Sequence, residues 1–413
     1  MLWDPLHTQT SIVDTHIMEV FPQTSIDYSD TVSFLIKASP KLMIQNIEII
    51  TQIRVLTEND ENPAANTNIS VVSNLANAIW RSVDVVIGGE NLLQSFDNSY
   101  NIGSWFDITM NSSKMQAPYL LQKELFLMDE ASTKENSENA TIYPAAAEGV
   151  VPQLVNKTAL TRNKVIEQGK IVTLISDLNC SLFKSGKLLP SNLDVGVSLT
   201  KNYDGYVLLE AERGTHKLKF IKCYLRVTMQ QPGDFCLNLM EQKLLKTPAT
   251  YQAEEGKVSF HSIPAGNEVV TINNLFPQGK LPVMFTFGVQ DRTALGNARN
   301  KNPFTFHPVK KVQIFIDGKP YFPSALEGKT MHFDSFYQTI GIEPSNYSIH
   351  PLIVVDLTAD RTANKHHLNL SQSGEVKLDI EFEQAAGEGL ILLVYSYYDR
   401  IIEINSDRAV RIL

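Results

Sequence analysis

Glu327-Gly328-Lys329-Thr330 carries the Gly-Lys-Thr end of a phosphate-binding loop, in which backbone N–H groups and a lysine cradle a nucleotide's phosphates. The glycine that opens such a loop would fall at position 323, where Pro323 stands, and no strand–loop–helix pattern surrounds it. His366 and His367 have the right side chains for a metal, but neighbours on a strand point to opposite faces, so one ion rarely takes both. Asp379 and Glu381 share one strand face and could act as an acid–base pair; a solvated, charged face accounts for them more simply. Tyr395, Tyr397 and Tyr398 could form a platform for a sugar ring, although strand aromatics more often serve a core or an interface. HExxH, CxxC and GxSxG are absent. The residues therefore name no catalytic, cofactor-binding or metal-ligating set, and no enzyme is expected.

The elements that would position such groups are strands. Trp80–Leu92 reads WRSVDVVIGGENL and Val309–Tyr321 reads VKKVQIFIDGKPY. In each, alternate residues are apolar (Val83, Val85, Ile87; Val312, Ile314, Ile316), which buries one face of a strand. Gly88-Gly89 and Asp317-Gly318 then supply the positive φ of a tight hairpin. One such hairpin is ordinary; two predict a repeated domain. FDNSY (96–100) and FDSFY (333–337) follow the two hairpins, and LDVGVSLTKN (193–202) and VKLDIEFEQ (376–384) read as matching strands that close each half. β-branched alternation marks further strands across 30–38, 43–57 and 170–178, then 216–230, 257–265, 268–276, 281–289, 351–357, 374–384 and 389–404. Helical spacing is confined to 115–130 and 234–246, and 130–149 reads as a long loop.

Composition sets the limits. With 413 residues the chain exceeds what one core usually supports, and 43% hydrophobic with 20% charged residues fits a packed globular protein. A net charge of -9 argues against a broad phosphate-binding face and so against sequence-specific nucleic-acid binding. Cys180, Cys223 and Cys236 make a poor disulfide framework, and a reduced, mainly buried state is expected. The first residues show no basic region followed by an apolar stretch, so secretion is not expected, and the Asn-X-Ser/Thr triplets at Asn68, Asn111, Asn139, Asn156, Asn179, Asn346 and Asn369 read as composition. The longest apolar run, 390–398, is under half of the roughly 20 residues that span a bilayer. Many strands with long insertions suit a Greek-key sandwich better than an up-and-down barrel. The fold expected is all-β: two tandem eight-stranded jelly rolls with a few short helices in loops. The divisions read are an N-terminal arm at 1–19, a first roll at 20–212 with an insertion at 111–170, and a second roll at 213–413, the seam lying in EAERGTHK (210–217).

The stretches NLFPQGKLPVMFTFGVQDRTALGNARNKNPFTFHPVKKVQIFIDGKPY (274–321), VVDLTADRTANKHHLNLSQSGEVKLDIEF (354–382) and VYSYYDRIIEINSDRAV (394–410) closely resemble capsid-like proteins of Polinton/Maverick-type and adintovirus-like elements. PQTSIDYSDTVSFLI (22–36) fits that family's N-terminal strand, and LFKSGKLLPSNLDVGVSL (182–199) is similar to the end of the first roll in major capsid proteins of nucleocytoplasmic large DNA viruses. The resemblance implies a double jelly-roll major capsid protein of a double-stranded DNA virus or virus-like element. Such proteins form trimers with six-fold pseudo-symmetry, which explains why the domain is written twice. It also implies partners: other copies of the chain, neighbouring capsomers, penton and minor or cement proteins, and in some members an internal membrane. The place implied is the virion capsid, assembled in the host cytoplasm or nucleus. The alternatives are a minor vertex protein of the same particle, or a tandem jelly-roll protein that binds or cleaves glycans. Strand faces are consumed inside each sandwich, so contacts between copies are expected from loops, with Tyr119, Leu120, Leu121, Leu125 and Phe126 on the inserted helix as interface candidates. The other role for that helix is to cap its own sandwich.

Overall fold

The computed structural model describes residues 9, 11–65, 67–111, 117–127, 157–210, 215–277, 279–296, 302–328, 352–363, 367–385 and 387–413. The strands of the first half are β1 (Ile12–Val20), β2 (Thr31–Ile36), β3 (Met43–Thr57), β4 (Ile69–Val71), β5 (Trp80–Ile87), β6 (Glu90–Gln94), β7 (Val172–Asp177), β8 (Val195–Lys201), β9 (Leu208–Glu210) and β10 (His216–Pro232). Those of the second half are β11 (Ala249–Ile263), β12 (Val269–Ile272), β13 (Met284–Asp291), β14 (Lys311–Ile316), β15 (Lys319–Pro320), β16 (Leu326–Glu327), β17 (Ile353–Asp356), β18 (Val376–Glu381), β19 (Leu390–Ile404) and β20 (Val410–Ile412). Between them lie the helices α1 (Leu75–Ala78), α2 (Ser99–Asn111), α3 (Ala117–Glu124), α4 (Lys157–Ile166), α5 (Ser181–Lys184), α6 (Asp204–Val207) and α7 (Asp234–Leu244).

Pairing reveals the repetition. The first half stacks a sheet ordered β1-β10-β3-β7 on one ordered β2-β8-β5-β6; the second stacks β11-β19-β13-β17 on β12-β18-β14-β15. Leaving out β4, β9, β16 and β20, which lie off these two-sheet paths, and counting along the chain, each half has first, eighth, third and sixth strands in one sheet and second, seventh, fourth and fifth in the other. These are the two expected eight-stranded rolls. The strands of the two sequence-matched hairpins, β5 and β14, occupy the same place. β8 and β18 are equivalent too, but as seventh strands; an eighth, β10 or β19, follows each.

The seam expected at 210–217 is crossed by the pairing. β10 runs antiparallel to β3 from His216↔Thr57 to Gln230↔Met43 and flanks β1 on its other side, so residues 216–232 complete the first roll. The polar run that suggested a boundary connects the seventh and eighth strands of one sandwich, and the change of sandwich comes after Pro232, through α7. Nor is 1–19 simply an arm, since β1 is an edge strand of the first roll.

Alternation holds where one face is buried. Val32, Phe34 and Ile36 on β2, Val83, Val85 and Ile87 on β5, and Val312 and Ile314 on β14 are all buried. Both hairpins turn at paired positive φ, +56° and +85° at Gly88-Gly89 and +49° and +75° at Asp317-Gly318. Their surroundings differ: a Cβ on Gly88 would lie 2.4 Å from the Arg408 carbonyl oxygen, whereas one on Gly318 meets nothing within 4 Å. Gly318→Ala should therefore cost about 1–2 kcal/mol for left-handed backbone alone, and Gly88→Ala clearly more, since the clashing atom is main chain. Parallel urea titrations compare them, and equal losses would show that the 405–409 turn yields freely.

Candidate functional site: the seam between the rolls

The contact between the rolls is built by α2, which enters from the connection between β6 and β7. Nearly every described side chain of this helix is buried, which removes the polar face that helical periodicity needs. Trp105 stacks on Phe304 with centroids 5.6 Å apart and tilts against Phe306 at 5.3 Å; Phe106 stacks on Tyr395 at 5.6 Å. Phe304 and Phe306 belong to the second half, and the apolar cluster of the first sandwich extends onto the near face of β13, β17 and β19, while the interior of the second sandwich is a separate cluster. Glycines admit these rings. A Cβ at Gly288 would lie 2.5 Å from Phe306 Cδ1, and one at Gly256 would lie 2.0 Å from the Tyr395 hydroxyl oxygen.

Asp107, one residue further along α2, is the polar centre of the seam. Its Oδ1 accepts hydrogen bonds from the hydroxyls of Tyr395 at 2.8 Å and Tyr397 at 2.7 Å; its Oδ2 accepts from Lys184 Nζ at 2.7 Å and Asn179 Nδ2 at 2.9 Å. Burial pulls the carboxyl's pKa up, but the charge and hydrogen bond of Lys184, with those of Tyr397 and Asn179, outweigh it and hold the group below its ordinary value. The two tyrosines are pushed well above theirs, first by burial and then by the Asp107 charge. The strand pair considered as a sugar platform is thus a buried clasp. Tyr398, pointing the other way, lies under Lys257 Nζ at 5.2 Å.

A cleft of about 520 Å³ opens beside the clasp, lined by Asn77, Asp107, Glu124, Asp177 and Glu254 among others. Glu124 ends α3. Burial raises its pKa to about 7, Lys123 partly offsets the rise and Asp177 adds to it. Lys123 is committed elsewhere, to Asp177 at 2.9 Å and Glu48 at 3.5 Å.

The other sequence candidates stay apart from this seam. Asp379 bonds Lys377 at 3.1 Å and the Thr271 hydroxyl at 2.6 Å, and Glu381 pairs with Lys310. His367 is exposed beside Asp360 at 3.9 Å, while His366, Lys329, Thr330 and the FDSFY stretch lie outside the described residues. Among the described residues, no three His, Cys, Asp or Glu side chains are grouped so as to hold a metal. No described helix is long and apolar enough to cross a membrane. Cys180 and Cys223 are buried, which pushes their thiols up to about 11 and about 12, and Cys236 is half-buried on α7.

The helix expected within 115–130 is α3, and a second helix, α4, stands beyond the stretch read as a loop at 130–149, which falls within 128–156, outside the described residues. Leu125 and Phe126 are buried in their own chain's core. The Leu125 carbonyl accepts from the Asn74 N–H at 3.2 Å, and Arg162 donates to the carbonyls of Val71 at 2.7 Å and Leu127 at 2.9 Å, pinning this segment to the first roll. Tyr119 is 61% exposed; the side chains of Leu120 and Leu121 lie outside the described set.

No family model and no curated protein matches the sequence. Solved structures match along its whole length. A chain of the PBCV-1 virus capsid is similar with a TM-score of 0.62 at 12% identity, covering 100% of this chain and 99% of that one. A chain of the Sputnik virophage is similar at 0.67 and 11% identity, covering 100% and 91%, and the mavirus major capsid protein at 0.61 and 12%, covering 100% and 92%. The fold is a double jelly roll. Likeness at this identity fixes strand order and the relation of the rolls, and says nothing residue by residue. In the double jelly roll, α2 and the Asp107 clasp help to hold the two rolls together, beside bonds such as Arg408 to the Ser191 carbonyl and Tyr251 to the Leu188 carbonyl.

Proposed function

We propose that this chain is the structural major capsid protein of a double-stranded DNA virus or virus-like element, assembling as a homotrimer into pseudo-hexameric capsomers of an icosahedral shell. The observation that carries the reading is the duplication itself: two rolls of identical strand order, joined by an apolar contact that extends from the first core, match capsid chains over nearly their full length. Three such chains around an axis present six similar walls, the shape that tiles a hexagonal array. We divide the chain into rolls at 12–232 and 249–412, joined by α7. Its place would be the virion shell, its partners further copies, penton and minor proteins, and its function shape rather than turnover.

Tyr119, with Leu120 and Leu121 beside it in sequence, remains the proposed contact on the inserted helix, because Leu125 and Phe126 are already taken up by the core. Light scattering on the purified chain should give three times 46.2 kDa, and negative-stain images should show hexagonal outlines. Tyr119→Asp should lower that mass without lowering thermal stability. A chain that stays monomeric or dimeric at high concentration is not a capsomer.

A further inference from the structure

The end of the first roll opposite α7 gathers the β1–β2 turn, the end of β3, the start of β5, the end of β8 and the start of β10. Between these elements lies a cleft of about 790 Å³, within the roughly 300–1,000 Å³ of small-molecule sites. Tyr28 stands at its rim, 93% exposed at the tip of the turn, and Tyr203, 53% exposed, lies on the β8 side. The Arg81 guanidinium sits 5.0 Å from the Tyr203 ring centroid and donates to its hydroxyl, so that ring is held in place with one face occupied.

The charges of the cleft are unevenly committed. Asp60 is paired with Lys217 at 3.1 Å and Lys219 at 3.9 Å, and Lys201 donates to the Ile26 carbonyl while lying 5.0 Å over the Phe220 ring. Asp27 and Asp30 feel the Lys201 charge across the cleft but make no contact ion pair and no side-chain hydrogen bond among the described residues. The duplicated roll supplies an internal control. The equivalent β11–β12 turn spans 264–268 and reads Pro-Ala-Gly-Asn-Glu, while the β1–β2 turn spans 21–30 and carries Tyr28, Asp27 and Asp30. The fold thus closes its sheets without these residues.

Carboxylates with no hydrogen-bond donor of their own can accept from a ligand's hydroxyl or N–H groups, and an exposed ring offers a negative face to C–H groups. A ligand with both on one molecule is a pyranose. The four aspartates lining the cleft are matched by four Lys and Arg side chains, so no net field draws an ionic ligand, and an apolar peptide anchor finds no dry pocket here. We propose that this cleft binds a neutral saccharide, with Tyr28 and Tyr203 as stacking faces, Asp27 and Asp30 as hydroxyl acceptors and Arg81 as the residue that positions Tyr203. A capsid protein with such a site at the end that also emits the 95–171 connection would carry a glycan-attachment function besides its structural one.

The full chain, in its native oligomeric state, is applied to an array of neutral, sialylated and sulfated oligosaccharides, and the best neutral binder is titrated by saturation-transfer NMR. We expect retention of neutral glycans, with Tyr28→Ala and Asp30→Asn each weakening binding about tenfold, the loss of one ring contact or one charge-assisted hydrogen bond, and Tyr28→Phe nearly neutral. Light scattering on the same variants should show unchanged mass, which separates this site from the assembly proposed above. Absence of any neutral binder, a preference for sialylated or sulfated glycans, or a Tyr28→Ala chain that binds as well as the parent would overturn the site. So would a drop in mass for Tyr28→Ala, because the tyrosine would then be a contact between copies.

Discussion

Asp107→Ala should be among the most destabilising single changes in the chain, costing about 3–5 kcal/mol. The substitution strands two buried tyrosine hydroxyls at once, and each unsatisfied buried donor costs about 1–3 kcal/mol. Lys184 adds less, because its side chain is 47% exposed and can turn to water. Asp107→Asn separates these contributions. Its amide oxygen can still accept from the tyrosines, but its NH₂ would face the Lys184 and Asn179 donors, so a smaller loss of about 1–2 kcal/mol is expected. In urea titrations the order should run Asp107→Ala, Asp107→Asn, then Tyr397→Phe, and Asp107→Ala combined with Tyr395→Phe and Tyr397→Phe should recover part of the loss. Strict additivity across that set would mean the clasp is not a coupled unit. Since Asp107 titrates low in the fold, its contribution is present above an ordinary carboxylate pKa of 3.8 and disappears as pH falls through the lowered value.

This clasp could not be read from the sequence, and the reason is distance along the chain. Asp107 and Tyr395 are joined across 288 positions, and neither residue belongs to a motif. Only the alternation of Tyr395 and Tyr397 hinted at a shared face, with core or interface as the ordinary role. The strands were legible wherever a sheet has one wet and one dry side, as in β2, β5 and β14. β1 escaped because it is an edge strand exposed along almost its whole length, leaving no alternation to see. α2 escaped for the opposite reason, burial on all sides with Gly103 in its middle. The seam was misplaced because turn-forming polar residues mark any connection between strands; only the pairing of β10 with β3 shows which connection leaves the sandwich.

Glu124→Gln should stabilise the chain above neutral pH by about 3 kcal/mol, the free energy separating its ordinary pKa of 4.5 from about 7 in the fold. Burial is the main cause. The carboxyl is 5% exposed, its nearest donor is the Asn77 amide at 3.4 Å, and Lys123 is drawn off by Asp177 and Glu48. Asp107, Asp177 and Glu254 line the same cleft as further carboxylates, with Asp177 adding to the rise, and Lys184 there is paired with Asp107. A carboxyl raised in this way binds its proton more tightly folded than unfolded. Its favourable effect is therefore complete below pH 4.5 and fades as pH rises through about 7, beyond which the fold carries a buried, weakly solvated anion. Glutamine keeps the acceptor for Asn77 and cannot ionise. Because Glu124 ends α3, the penalty should first appear as loosening of 117–127, the helix that presents Tyr119. Amide exchange in that segment should accelerate between pH 5.5 and 8 in the parent chain and stay flat in Glu124→Gln, once corrected for the intrinsic pH dependence of exchange. Equal acceleration in both would place the titrating group elsewhere. If the capsomer is held through this helix, the same change should make the trimer less sensitive to alkaline pH, which light scattering across that range would read.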